Sequence, residues 1–297
     1  MSDRSKSIGA SEVACLFGCS PWQSEYSLWL LKTGLVEEQA STERMRAGLY
    51  LERAILDEWL SRECPLDEVG VPLKHNTHSF SHPTYPFITA TPDAVAIIGG
   101  VGYVGDVKTV DNTRRRDWDD GVPEYYRIQL QTQMAVTGSA RAVLIAQFGF
   151  SELSHEWIDA DQALQDEIVK RCCEFWKRVQ GELPPPDPDG SDATTEALKR
   201  RRVDAKAIEL SPDVRTWTEE LEAIERKGRI IGQNARSLKN KIRAALGDAS
   251  TGVFGDGTGW RIQTITRKEA IVKASTYTKL SRIKAKDAET EWDGAEE

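Results

Sequence analysis

No apolar run in this 297-residue chain approaches the roughly 18 residues that a membrane-spanning helix needs, so a membrane role is not expected. The opening stretch, MSDRSKSIGASE, lacks the apolar core of a secretory signal, and export is not expected either. Cysteine is scarce and odd in number: Cys15, Cys19, Cys64, Cys172 and the adjacent Cys173. These spacings match neither a disulfide framework nor a zinc or four-cysteine iron–sulfur set, and reduced thiols in a cytoplasmic protein are the simplest account. His75, His78, His82 and His155 have no zinc spacing. No glycine-rich loop ends in Lys-Ser or Lys-Thr, so ATP use is not indicated. Positive charge is also in deficit, with 39 basic against 47 acidic side chains and a formal net charge of −8. That balance does not favour a protein coated for nucleic acid, although a site that concentrates carboxylates needs only local basic patches. Arg114-Arg115-Arg116 and Lys199-Arg200-Arg201-Arg202 are two candidates, and each is also read as a solvated face.

The clearest punctuation is Pro184-Pro185-Pro186-Asp187-Pro188-Asp189-Gly190, which fits neither helix nor central strand. It divides the chain into a core over 1–183, a proline-rich and basic linker over 184–210, and a helical arm with a short hairpin over 211–297. In the core, helical spacing predicts Ser11–Phe17, Glu25–Lys32 and Glu43–Arg62, the last with Met45, Leu49, Leu56 and Trp59 on one face. Glu52 shares that face. Because an unpaired buried charge is costly, it is read either as a site residue or as half of an ion pair with an arginine. Strands follow over 88–98 and 103–110, around Gly99-Gly100. A helix over 124–137 comes next, with Tyr125, Ile128/Gln129, Thr132 and Ala135/Val136 along one side. Strands over 142–148 and 155–158 and a helix over 160–181 complete an α/β pattern, a sheet flanked by helices. The tryptophans are scattered, which favours core packing over base stacking. Beyond the linker, Ser211-Pro212 starts a helix. An apolar stripe from Val214 to Ala245 then keeps a 3-4 spacing interrupted only at Gly228, like a coiled-coil strand about 50 Å long.

Chemistry gathers around Thr91-Pro92-Asp93 and Asp106-Val107-Lys108. Asp106 and Lys108 lie two apart on a strand and leave the same face. An aspartate, a second carboxylate and a lysine on one face suit phosphodiester hydrolysis. Carboxylates hold Mg²⁺, the ion polarises phosphate, and the lysine orients water and steadies transition-state charge.

Further motifs share this order. Ile8-Gly9-Ala10-Ser11-Glu12-Val13 comes first, then Ser20-Pro21-Trp22 with Tyr26, Leu28-Trp29 and Lys32-Thr33-Gly34. Gly48-Leu49-Tyr50-Leu51-Glu52 precedes the two acidic motifs, and Tyr125-Tyr126-Arg127-Ile128-Gln129-Leu130-Gln131 follows them. Together, over roughly residues 4–180, they resemble the YqaJ-type viral recombinase nucleases, the family of lambda exonuclease. The resemblance implies a restriction-endonuclease-like PD-(D/E)xK core, a central mixed sheet flanked by helices, with a mainly helical C-terminal extension outside it. By position it implies that Asp93, Asp106 and Glu52 bind Mg²⁺, with Mn²⁺ able to substitute. It further implies that Lys108 assists the attacking water, that Gln129 reaches into the site, and that Arg4, Ser11, Thr91 and Gln129 surround the 5′-phosphate of a DNA end. Asp106 stands where the prototype has Glu, and Thr91 where Ser is usual. The implied activity is hydrolysis from 5′ ends of linear duplex DNA, leaving 3′ single strands for a single-strand annealing protein. The implied assembly is a ring-shaped homo-oligomer such as a trimer. Two alternatives stay open: an endonuclease or repair nuclease on the same core, and a non-catalytic DNA-binding or assembly protein.

Overall fold

Proline has no amide hydrogen to give a strand ladder, and Pro92 divides what reads in sequence as one strand over 88–98. In the computed structural model, which describes residues 4–62, 73–149, 152–201 and 208–265, that stretch is two strands in two different sheets. Cys64, Arg202 and the last dozen residues lie outside the described residues. Among those described, the chain divides into two units, residues 4–201 and 208–265.

In the first unit, β1 (Ile8–Gly9) runs parallel to β4 (Ile88–Ala90), which also pairs with β3 (Phe80–Ser81). The larger sheet is five-stranded and mixed, in the order β2 (Lys74–His75), β5 (Ala94–Ile98), β6 (Val101–Val110), β7 (Ser139–Phe148), β8 (Glu152–Asp159). β5 and β6 form a hairpin in which Ile98 faces Val101, so only Gly99 and Gly100 make the turn. Both have positive φ, as two-residue hairpins require and glycine allows. β6 and β7 are parallel, and the crossover between them is helical, as parallel pairing demands.

The helices are α1 (Glu25–Lys32), α2 (Glu43–Arg62), α3 (Glu124–Thr137), α4 (Gln162–Val179) and α5 (Asp192–Arg200). The segment Ser11–Phe17, expected as a helix, lies within 3-10 turns over Ala10–Phe17 closed by left-handed Gly18. α2 covers one face of the large sheet through Ile55, Leu56 and Trp59, which pack on Val107, Val143 and Ile145. Met45 and Leu49, expected on the same buried face, are 58 % and 70 % exposed. The helical periodicity continues past the end of the surface that the helix covers.

α3 departs from its sequence reading in the opposite sense. It is buried nearly all round rather than along one stripe. Leu130 and Met134 pack on Val104, Ala142 and Leu144 of the large sheet. Ile128 and Val136 join Ile8, Val13, Ile88, Ile168 and Phe175 in a second core, formed with β1, β4 and α4. The stretch expected as a linker, 184–210, contains α5. Ala197 on that helix is fully buried against Leu30 and Val36, and Thr194 shares a 2.6 Å hydrogen bond with Ser24.

The second unit holds α6 (Pro212–Leu246), unbroken through Gly228, and a hairpin of β9 (Thr251–Val253) and β10 (Gly259–Arg261). The unit contains no buried α6 residue. The fold is thus mixed α/β with a central mixed sheet, followed by a mainly helical region. Among the described residues no helix is long and apolar enough to cross a membrane.

Candidate active site

Strand alternation sends Gly105 and Val107 of β6 toward α2 and the adjacent Asp106 and Lys108 toward α3. Asp106 is only 2 % exposed. Its Oδ1 accepts hydrogen bonds from Gln129 Nε2 at 2.9 Å and Gln133 Nε2 at 2.7 Å. These two side chains stand one turn apart on α3. The Oδ2 of Asp106 meets the ammonium of Lys108 in an ion pair, and the lysine also lies 5.3 Å from the centre of the Tyr126 ring.

Asp93 enters from the break between β4 and β5. Its Oδ2 accepts the Val107 amide at 2.7 Å, an interaction that ties the crossing loop to β6. Asn76 braces the same loop, taking the Asp93 carbonyl with its own amide at 2.8 Å and donating from its side chain to the Pro92 carbonyl at 2.8 Å. Burial and then the charge of Asp106 push the Asp93 carboxyl up to about 8, with Glu52 adding to the rise. For Lys108, burial acts to lower the pKa, but the charges of Asp106 and Asp93 outweigh it and hold the ammonium above its ordinary value. A charge in a low-dielectric site is most costly when unpaired, and this cluster contains two carboxylates for one lysine.

Glu52 approaches from α2, on the other side of the sheet, near enough for its charge to add to the rise at Asp93. Its hydrogen bond goes to His75 Nε2 at 3.2 Å, not to an arginine. Ser11 and Thr91 are exposed, and among the described residues no hydrogen bond links either to the carboxylates. The side chain of Arg4 is outside the described residues. The structure therefore brings together Asp93, Asp106, Lys108 and Gln129, with Glu52 nearby. Sequence reasoning missed Gln133 and His75. Gln133 was detectable, since residue i+4 shares the face of Gln129. His75 was not, because its position depends on pairing of β2 with β5.

Beside the cluster runs an open groove of about 790 Å³, lined by Ser11, Trp22, Tyr125 and Tyr126 together with Arg44, Arg114 and Arg200. Trp22 is 62 % exposed and meets Tyr125 edge-on at 5.1 Å, so it is not the core tryptophan expected. Below it, two separate sequence motifs lock together. Lys32 Nζ donates to both oxygens of Glu12, at 2.9 and 2.7 Å, and Gly9 donates its amide to Glu12 Oε2 at 2.8 Å. In the basic runs, Arg115 pairs with Glu152 at 2.6 Å and Lys199 with Glu196 at 2.7 Å.

Residues 1–140 match the YqaJ-like viral recombinase domain family. Over 263 residues the chain is 29 % identical to the uncharacterized protein YqaJ of Bacillus subtilis (strain 168), an alignment covering 86 % of this chain and 79 % of that protein. Among solved structures it is similar to the alkaline exonuclease LHK-Exo from Laribacter hongkongensis, at 23 % identity and a TM-score of 0.48, covering 60 % of this chain and 90 % of that one. It is also similar to a phage-related exonuclease from Haemophilus somnus 129PT, at 14 % identity and a TM-score of 0.40, covering 59 % and 96 %. The motifs within residues 1–140 and the family match point the same way: this part of the chain is similar to the YqaJ-like viral recombinase domain.

Proposed function

We propose that this chain is a metal-dependent deoxyribonuclease, an exonuclease that hydrolyses linear duplex DNA from 5′ ends and leaves 3′ single strands for an annealing partner. The observation that carries the reading is the carboxylate pair, half-buried Asp93 and buried Asp106, with Lys108 on the same strand face as Asp106. The donor set suits a hard divalent cation. Asp106 Oδ2 is buried and accepts no hydrogen bond of ordinary geometry, so it retains capacity for a cation. Among the described residues no three acidic, His or Cys ligands are gathered into one metal-binding group. Mg²⁺ needs no such group, since it commonly takes one or two carboxylates and keeps several waters. Asp93 and Asp106, with Glu52 nearby, would hold Mg²⁺ or Mn²⁺, and the ion would supply Lewis acidity at the scissile phosphate.

Lys108, with its raised pKa, is fully protonated at neutral pH and is no general base. It serves as a donor, orienting the attacking water and steadying charge on the phosphorane-like transition state. Gln129 and Gln133 aim the Asp106 carboxylate. In the adjoining groove Arg44, Arg114 and Arg200 offer guanidiniums to backbone phosphates, and Ser11, Thr91 and Arg4 would receive the terminal 5′-phosphate. A homo-oligomeric ring would keep such an enzyme on its track.

The test compares 5′-phosphorylated linear duplex, 5′-hydroxyl linear duplex and covalently closed circles. The expected result is digestion of linear DNA, fastest with the 5′-phosphate, stopped by EDTA and restored by Mg²⁺ or Mn²⁺. Efficient cutting of closed circles would replace the exonuclease reading with an endonuclease on the same site. Full activity of Lys108→Ala would remove the site itself.

A further inference from the structure

Among the described residues, the long helix of the second unit has an apolar face with no cover. Leu221, Ile231 and Leu238 are 47 %, 67 % and 60 % exposed, and they belong to a stripe that repeats every seven residues over five heptads of α6. A sustained heptad stripe of that length is a coiled-coil seam. It runs over roughly 52 Å, and contiguous exposed apolar stripes mark interaction sites.

The charge of α6 is sharply divided. Acidic side chains outnumber basic ones five to one over residues 212–225, whereas residues 226–246 carry seven basic side chains and no acidic one. Two such helices laid parallel would set acid on acid and base on base. Laid antiparallel, they set the acidic half of each against the basic half of the other. We propose that α6 pairs antiparallel with α6 of a second copy of this chain.

One register satisfies both the seam and the charges. Centring the pair between Arg229 and Ile230 places Leu221 opposite Leu238 of the second copy, Ala235 opposite Ile224, and Gly228 opposite Ile231. Large residues then meet small ones in two of these three layers, and the glycine that interrupts the stripe makes room for an isoleucine. At the flanks Glu220 faces Lys241 of the second copy, twice by symmetry, and no like charges face each other. Shifting by one heptad in either direction sets Lys227 against a lysine. In the parallel arrangement Glu220 faces Glu225.

The test measures the mass of the full-length protein by light scattering, across concentration and at low salt. The wild type should double its mass as concentration rises, whether the unit that pairs is one chain or the proposed ring. Glu220→Lys and Lys241→Glu should each weaken pairing about tenfold in dissociation constant or more, because each sets two like-charge contacts in place of two favourable ones. The double variant Glu220→Lys/Lys241→Glu should recover pairing, and high salt should shrink all three effects. All these changes lie on exposed positions of a helix, and circular dichroism checks that it persists. A monomeric wild type, a mass indifferent to both charge changes, or tighter association in Glu220→Lys, as the parallel arrangement requires, would each overturn the proposal.

Discussion

Two glutamine amides converge on one oxygen of Asp106, and that convergence fixes where the carboxylate points. Replacing Gln133 by Leu removes one of the two donors and leaves the backbone of α3 unchanged. We expect a 10- to 100-fold rise in the Mg²⁺ concentration needed for half-maximal cleavage, the usual size of an effect from a group that orients a metal ligand, with helix content retained. An unchanged Mg²⁺ titration would mean that Gln129 alone orients the carboxylate. Asp93 gives a second expectation at the same scale. Its folded pKa of about 8 lies above the value near 3.9 of an unfolded aspartate. Between these values the folded state binds the extra proton, so the contribution of Asp93 to stability falls as pH rises from about 4 to about 8 and then levels off. In EDTA, the melting temperature of Asp93→Asn should therefore exceed that of the wild type by a margin that grows over this window and nearly closes at its acid end. A margin constant with pH would show that Asp93 is already ionised in the metal-free fold.

Elements place these residues, and here the sequence was legible in uneven degree. The shared face of Asp106 and Lys108 depends on a strand period of two, a local property, and it was read directly. So were α1, α2 and α3, with their bounds. The extent of the covered face on α2 depends on where the sheet ends, which no periodicity records, and Met45 and Leu49 came out exposed for that reason. The two-sided burial of α3 was hidden too, because its second core is built from β1, β4 and α4, elements far away in sequence. Gly105 shows how tightly β6 is held. A Cβ there would meet Leu73 Cδ1 at 3.1 Å, Ala94 Cβ at 3.3 Å and Val143 Cγ1 at 3.4 Å. Gly105→Val should cost about 1–3 kcal/mol of stability through overpacking and displace the neighbouring Asp106. Denaturant unfolding and cleavage measured on one preparation would check both, and a variant losing neither would show that the strand has room to shift.

For the whole molecule, a net charge of −8 repels DNA at long range, and under the proposed function the groove with Arg44, Arg114 and Arg200 is the surface that would attract it. Replacing all three by Ala should flatten the dependence of log affinity on log salt by up to about 2.7, near 0.9 for each phosphate no longer neutralised. An unchanged slope would place the DNA elsewhere. The break at Pro92 has a further consequence. Asp93 sits where the chain passes from the three-stranded sheet to the five-stranded one, and its bond to the Val107 amide fastens the crossing. Under the proposed function, catalytic competence would thus depend on the seam between two cores rather than on the strength of either. Local openings of such a seam need less free energy than global unfolding. On gentle heating the enzyme should fall silent, reversibly, while its far-ultraviolet dichroism still reports an intact fold.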